Sequence, residues 1–261
     1  KIAWNLMRFH AVQPKDTYVN LAEKIAGLMP GVGYDKQRFG WYDVVERVLE
    51  PGQKFHRYAW HDRKAWWQQE QGILAYLILQ GHIPSNEAYK KYADESAAFY
   101  NAFFLDHNDG GVYFNVLANG VPYLMGTERF KGSHSMSAYH STELCFLATV
   151  YSDLMIQKRP LDLFFKPMPH GFKDRILRVS PDMLPKGSVR ITACTIDGAP
   201  YSNFNADGLY VELPDSAQRL NVKVTLTPNA EGCELGYSVT AQVGGKIAQL
   251  GQRLIDGVAK S

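Results

Sequence analysis

Apolar residues recur at helical spacing through the first 157 positions and alternate at strand spacing after about residue 160. Ile2-Ala3-Trp4 with Leu6-Met7 reads as the remainder of a helix. Asp16 or Thr17 is a candidate cap for the next helix, which carries Leu21, Ile25 and Leu28-Met29 and should stop at Pro30-Gly31. A strongly apolar helix is expected over 65–80, and another starts at Pro84-Ser85-Asn86-Glu87 and runs through Phe103. The last clear helix covers 141–156, with Leu144, Leu147, Val150, Tyr151 and Leu154 at helical spacing. The expected organisation is thus five helices joined by long loops, and loops of that length are usually functional.

Beyond residue 160, Leu161–Phe165, Ser188–Ala193, Leu209–Leu213 and Leu220–Leu226 alternate as strands. Asp197-Gly198, Pro214-Asp215 and Pro228-Asn229 punctuate them as turns. Cys233 to Val243 reads as one more strand, and Lys246 to Lys260 places Ile247, Leu250, Leu254, Ile255 and Val258 on one face of an amphipathic helix. The predicted domains are therefore 1–157, helical; 158–228, β-rich; and 229–261, a strand-plus-helix tail.

A loop-and-helix block appears twice, about 70 residues apart. Gly40-Trp41-Tyr42-Asp43 precedes Lys64 and Trp66-Trp67-Gln68-Gln69-Glu70. Gly110-Gly111-Val112-Tyr113-Phe114-Asn115 precedes Lys131, His134 and His140. Repetition implies stacked units whose loops gather on one face. Tryptophan faces stack on sugar rings, and amide, carboxylate and imidazole groups hydrogen-bond hydroxyls. On this reading His61, Trp66, Trp67, Gln69, Glu70 and Trp41 contact a sugar. The bland alternative makes two of the tryptophans core and His61 a surface or capping residue. His140 and Glu143, three apart, share a helix face, and a carboxylate beside an imidazole suits acid–base work. A capping histidine and a metal site of His134, His140 and Glu143 are the rivals, although the spacing matches no standard metal site.

Composition narrows the classes. With 261 residues, 46% hydrophobic and 21% charged, the chain has ample length for a core. A net charge of +2 gives no reason to expect nucleic acid or an anionic membrane as partner. Cys145, Cys194 and Cys233 are sparse, odd in number and without a CxxC pair, which argues against a disulfide framework and a structural zinc site. The apolar run Ile73 to Leu79 is too short to span a bilayer. With no signal-peptide pattern, the expected location is cytoplasmic. No metal and no cofactor are expected.

Lys64-x-Trp66-Trp67-x-Gln69, the Gly-aromatic turns and the Lys131-Gly132…His140 helix start resemble the N-acylglucosamine 2-epimerase superfamily, which includes cellobiose 2-epimerases and aldose–ketose isomerases. The resemblance covers roughly residues 1–157, about the C-terminal half of a family member. The β-module to about 228 looks like the extension of bacterial, especially cyanobacterial, epimerase-like proteins. The resemblance implies a mainly α fold, with α/α-barrel-type helical hairpins forming part of an (α/α)6 toroid, followed by the small β-rich module. It implies proton transfer at carbon 2 of a ring-opened sugar through an enediolate, with His140 as acid/base, Glu143 as its orienter and His134 as the fallback.

Three departures stand out. The family's Trp-Trp-x-Gln-x-Glu has Gln71 at its final carboxylate, with Glu70 one place early on another helical face. Glu143 stands where an Arg often follows the histidine. The family's upstream Gly-His-Asn segment would precede Ala3-Trp4. The tail from Asn229, with Gly244-Gly245-Lys246-Ile247, separately resembles the end of a carbon monoxide dehydrogenase subunit family that has a helix-grip fold and a long C-terminal helix. The leading expectation is a sugar 2-epimerase or isomerase-like protein. A non-catalytic carbohydrate-binding or regulatory module and a structural interaction domain stand beside it. The implied partners are a small-molecule sugar and either a missing N-terminal half or a second copy of the chain.

Overall fold

The computed structural model describes residues 1–125, 131, 132, 136 and 138–229. The strand and helix expected over 233–260, the dehydrogenase-like tail and His134 lie outside the described residues. Two compact units are present: Lys1–Met7 with Lys15–Thr149, and Arg8–Pro14 with residues 150–229. Among the described residues there are five α-helices and three small antiparallel sheets. No described helix is long and apolar enough to cross a membrane.

The first unit holds the start of α1 (Ile2–Val12), whose residues from Arg8 belong to the second, and then α2 (Asp16–Val32), a long loop, strand β1 (Arg63–Ala65) and helix α3 (Trp66–His82). Helix α4 (Glu87–Phe99) ends in a wider turn, Tyr100–Phe104, followed by β2 (Asn115–Leu117) and α5 (Ala138–Val150). Helix α3 is the centre of this unit. Residues around nearly its whole circumference are buried, from Trp66 and Gln69 to Leu79 and Gln80, the mark of a helix surrounded by protein. Helix α4 packs against it, started by the Asn86 side chain accepting the Ala88 N–H at 3.2 Å.

Helix α2 departs from expectation at both ends. Asp16 is its first helical residue rather than its cap, placing a negative charge at the positive end of the helix dipole. The helix also continues through Pro30 to Val32. Proline cannot donate to the carbonyl four residues back, and here that carbonyl belongs to Ala26. The Tyr76 hydroxyl from α3 donates to it instead, at 2.8 Å.

The second unit holds a four-stranded sheet in the order β3 (Leu161–Phe165), β9 (Val222–Pro228), β5 (Val189–Ile196), β6 (Ala199–Pro200). A three-stranded sheet runs β4 (Ile176–Arg178), β8 (Tyr210–Glu212), β7 (Phe204–Asn205). Strand β5 extends three residues past its expected end at Ala193. Its register against β9 jumps between Ile191 and Ala193, so Val189 and Ile191 are buried, then Cys194 and Ile196. The extra residue, Thr192, is a bulge; its hydroxyl meets that of Thr227 at 2.8 Å. Arg8 and the Tyr151 hydroxyl both engage the Asp182 carboxylate in this unit.

The Pro30–Tyr76 arrangement has a measurable consequence. Tyr76→Phe should lower stability by about 1 kcal/mol, the net worth of one buried hydrogen bond. In a Pro30→Ala background, where residue 30 supplies its own N–H to Ala26, the same change should cost clearly less. A double-mutant cycle by urea unfolding measures the coupling.

Candidate active site at the head of helix α3

Two loops of matching construction support the head of α3. In the first, Asp35 Oδ1 accepts the N–H groups of Gln37 (3.0 Å) and Arg38 (3.1 Å), and Oδ2 accepts Lys64 Nζ at 2.8 Å. Lys64 Nζ also donates to the Phe39 carbonyl at 2.5 Å. In the second, Asp106 Oδ1 accepts Asn108 (3.0 Å) and Asp109 (3.1 Å), and Oδ2 accepts Lys131 Nζ at 2.6 Å, which also donates to the Gly110 carbonyl at 3.0 Å. The loops close alike, with Asp35 N–H on Gly40 O (2.9 Å) and Asp106 N–H on Gly111 O (3.0 Å). Both turns use left-handed backbone, at Phe39-Gly40 and Gly110-Gly111.

The two ion pairs differ in environment. The Lys64 side chain is 0% exposed and that of Lys131 is 26% exposed. Burial would push the Asp35 carboxyl up, but the Lys64 ammonium and the two backbone N–H groups outweigh it and hold it below the usual range. Burial lowers Lys64 against the opposing pull of Asp35. Asp106 is held well below the usual carboxylate range by Lys131 and by the Asp109 and Asn108 amides.

The two loops are joined through β1 and β2, where Arg63, Lys64 and Ala65 pair with Leu117, Val116 and Asn115. Trp66 N–H then donates to the Phe114 carbonyl at 3.0 Å, so α3 begins from a fixed platform. Gln69 clamps the first loop to it. Its Oε1 accepts Trp41 N–H at 2.7 Å, and its Nε2 donates to Trp41 O (2.7 Å) and Ala65 O (3.0 Å). A carboxamide suits this place because it offers an acceptor and two donors at once. The Trp41 indole donates to Ser96 Oγ at 3.0 Å and stacks on Tyr76. A Cβ on Gly72 would lie 2.3 Å from that indole nitrogen, so this helix position requires glycine.

At the head of α3, His140 on α5 stands with its ring centroid 6.1 Å from both Trp66 and Trp67 and 4.8 Å from Tyr139. Gln71 lies behind it. Gln71 Oε1 accepts the Trp4 indole N–H at 3.0 Å, and Nε2 donates to Glu143 Oε2 at 3.0 Å and lies 3.5 Å from His140 Nδ1. Glu143 Oε1 accepts the Tyr139 hydroxyl at 3.0 Å, and Lys1 Nζ is 3.6 Å from Oε2. Burial and the Lys1 charge lower the His140 pKa against the pull of Glu143, which favours the neutral ring.

Glu70, the residue before Gln71 on α3, is fully buried. Its Oε1 accepts the Tyr100 and Ser141 hydroxyls, each at 2.7 Å. Burial lifts its carboxyl to about 7, against those two hydrogen bonds. Glu70 Oε2, Trp66 Nε1, Gln68 Oε1 and both amide atoms of Asn115 are buried with no hydrogen-bond partner among the described residues. Native structures keep such atoms few, and these five lie on the first turn of α3 and on the strand paired with its approach.

The structure therefore brings together His140, Glu143, Trp66, Trp67 and, through Ser141, Glu70. Of these, Trp67 is the open surface, 40% exposed, while Trp66 is buried. Trp41 in the first loop and Gln69 on α3 are buried and bonded to each other. His61 stands apart, in a left-handed conformation, its ring 6.1 Å from Tyr123. Among the described residues no three His, Cys, Asp or Glu side chains gather as metal ligands would. Asp35, Asp106, Gln71, Tyr100 and Ser141 are not among the sequence-predicted site residues. The two aspartates were detectable, since aligning Gly40 with Gly111 sets them, Tyr42 and Tyr113 all 71 residues apart.

No protein-family model and no curated protein matches the chain. Among solved structures, it is similar to a D-mannose isomerase (19% identity, TM-score 0.46, covering 56% of this chain and 34% of that one). It is similar to the cellobiose 2-epimerase of Spirochaeta thermophila (11%, 0.44, 56% and 35%). It is also similar to a family 76 glycoside hydrolase from a Bacteroides thetaiotaomicron strain (17%, 0.42, 58% and 29%). The chain spans about a third of the length of each of these structures.

Two measurements probe the site. Lys64→Met strands the buried Asp35 charge and should cost about 3–5 kcal/mol in urea unfolding. Lys131→Met should cost less, because water reaches the second pair. The second measurement concerns Glu70. Its folded carboxyl titrates near 7, against about 4.3 in an unfolded chain. Between these values the folded state holds a proton that the unfolded state has released, so stability falls as pH rises from about 4.5 to 7. Glu70→Gln should flatten that slope, and an unchanged slope would reassign the proton.

Proposed function

We propose that the head of α3 is the proton-transfer site of a sugar 2-epimerase or aldose–ketose isomerase-like protein. In this reading the helices are part of an (α/α)6 barrel, and the substrate is a ring-opened reducing sugar. The observation that carries it is the placement of the His140 ring, 6.1 Å from both Trp66 and Trp67 and backed by the Gln71–Glu143 pair. An imidazole at that place can handle a proton at carbon 2 or at the adjacent oxygen, while the exposed Trp67 offers a face for a sugar ring. Glu143 supports the histidine through Gln71 rather than by a direct hydrogen bond. The sequence resemblance to the N-acylglucosamine 2-epimerase superfamily supports the same chemistry.

A second reading, a carbohydrate-binding module without turnover, draws on Gln71. An amide there cannot gain or lose a proton as a carboxylate would.

The test is deuterium incorporation at carbon 2 of a panel of reducing sugars in heavy water, followed by NMR. His140→Ala should lower the exchange at least about 100-fold, the lower end for a positioned acid–base group, with folding checked by circular dichroism. Quenching of tryptophan fluorescence by sugar without any exchange would favour the binding module.

A further inference from the structure

We infer that Gln71 sets the tautomer of His140, holding the neutral ring with its proton on Nε2, so that the nitrogen left for a ligand is a hydrogen-bond donor.

Side-chain amide oxygen and nitrogen are told apart by their partners. Gln71 is only 5% exposed, so its neighbours settle which end of the carboxamide faces where. The Trp4 indole nitrogen can only donate and lies 3.0 Å from Oε1. The Glu143 carboxylate can only accept while ionised and lies 3.0 Å from Nε2. Turning the amide over would set N–H against N–H at Trp4 and oxygen against oxygen at Glu143. Both contacts would be lost in a place where water cannot replace them.

With the amide fixed, its NH2 group is what His140 Nδ1 meets, at 3.5 Å. That contact is long, but its sign is clear. A lone pair on Nδ1 is attracted to the NH2, whereas an N–H there would be repelled. No direct hydrogen bond joins Nδ1 to Glu143. Its oxygens take the Gln71 amide and the Tyr139 hydroxyl and face Lys1 Nζ. The neutral imidazole has one proton to place, and it goes to Nε2, which no hydrogen bond to a described residue engages.

A carboxylate at position 71 would do the reverse. It would accept Nδ1–H and leave Nε2 as a bare base. The single change from acid to amide thus decides whether the exposed nitrogen offers a proton or seeks one. Taken with the sugar reading, on which this consequence rests, His140 would face a substrate oxygen that gains negative charge, a role that donors in sheltered sites perform well. Gln71 is then a positioning residue acting through His140.

The test is the long-range 1H–15N NMR spectrum of the 261-residue chain with 15N-labelled histidine at neutral pH, with the His140 signals identified by their loss in His140→Ala. The wild-type ring should show a protonated Nε2 and a bare Nδ1. Gln71→Glu should move the proton to Nδ1, shifting the tautomer ratio by about fivefold, as a hydrogen bond of ordinary net strength supports. If Gln71→Glu does not fold, Gln71→Leu replaces it and should lower the Nε2–H share. A protonated Nδ1 in the wild type, or a ratio that neither variant moves, overturns the inference. The spectrum does not depend on turnover. The expected tautomer without carbon 2 exchange in any sugar would sink the epimerase reading and keep this inference; exchange with the opposite tautomer would do the reverse.

Discussion

A charge taken out of water must be met by another charge and by hydrogen bonds, or the fold that buries it is lost. In this protein that constraint falls on Lys64. Its ammonium, closed off from solvent, meets Asp35 and the Phe39 carbonyl and lies 3.9 Å from the centre of the Phe99 ring. Much else depends on that meeting. Lys64 is the middle residue of β1, β1 pairs with β2, and α3 starts where β1 ends. The position of Trp66, and through it the surroundings of His140, thus traces back to one buried ion pair. The second loop repeats the device with Asp106 and Lys131, nearer to solvent and with less at stake.

Three consecutive polar residues on α3 show how differently neighbours can be used. Gln69 serves as a strand partner for Trp41, holding a loop. Glu70 turns to Tyr100 and Ser141 and keeps a proton near neutral pH. Gln71 faces Trp4, Glu143 and His140. Successive helical positions point about 100° apart, so a run of three amides and acids reaches three separate surroundings. Each side chain answers a different need for donors and acceptors, which is why Gln and Glu are not interchangeable along this turn.

Much of the architecture was legible in the sequence because its signals are local. Helical spacing located α3, α4 and α5 to within a few residues, and alternation located β3, β5, β8 and β9. What was not legible depends on partners far along the chain. Pro30 reads as a stop, and only Tyr76 explains why α2 continues. Thr192 reads as part of an alternating strand, and only the register against β9 shows the bulge. At the site, the cluster of Trp, Gln and Glu was visible as chemistry, but the direction of each side chain was not. Gln69 and Trp41 looked like ligand contacts because their spacing gives no hint that they bind each other. The aspartates of the paired loops stay hidden when Gly40 is set against Gly110, the first glycine of the second turn, and emerge only when Tyr42 is set against Tyr113, which brings Asp35 onto Asp106.

The carbonyl of Ala26 also bears on how the protein assembles. An α2 segment alone cannot finish its last turn well, since Pro30 leaves that oxygen without a donor and the partner sits on α3. The two elements are thereby coupled in stability: the end of α2, and with it the chain entering the Asp35 loop, has its full set of hydrogen bonds only with α3 docked. Helix completion here is conditional on docking. The proline thus ties the stability of the chain entering the Asp35 loop to the presence of the helix that the loop supports.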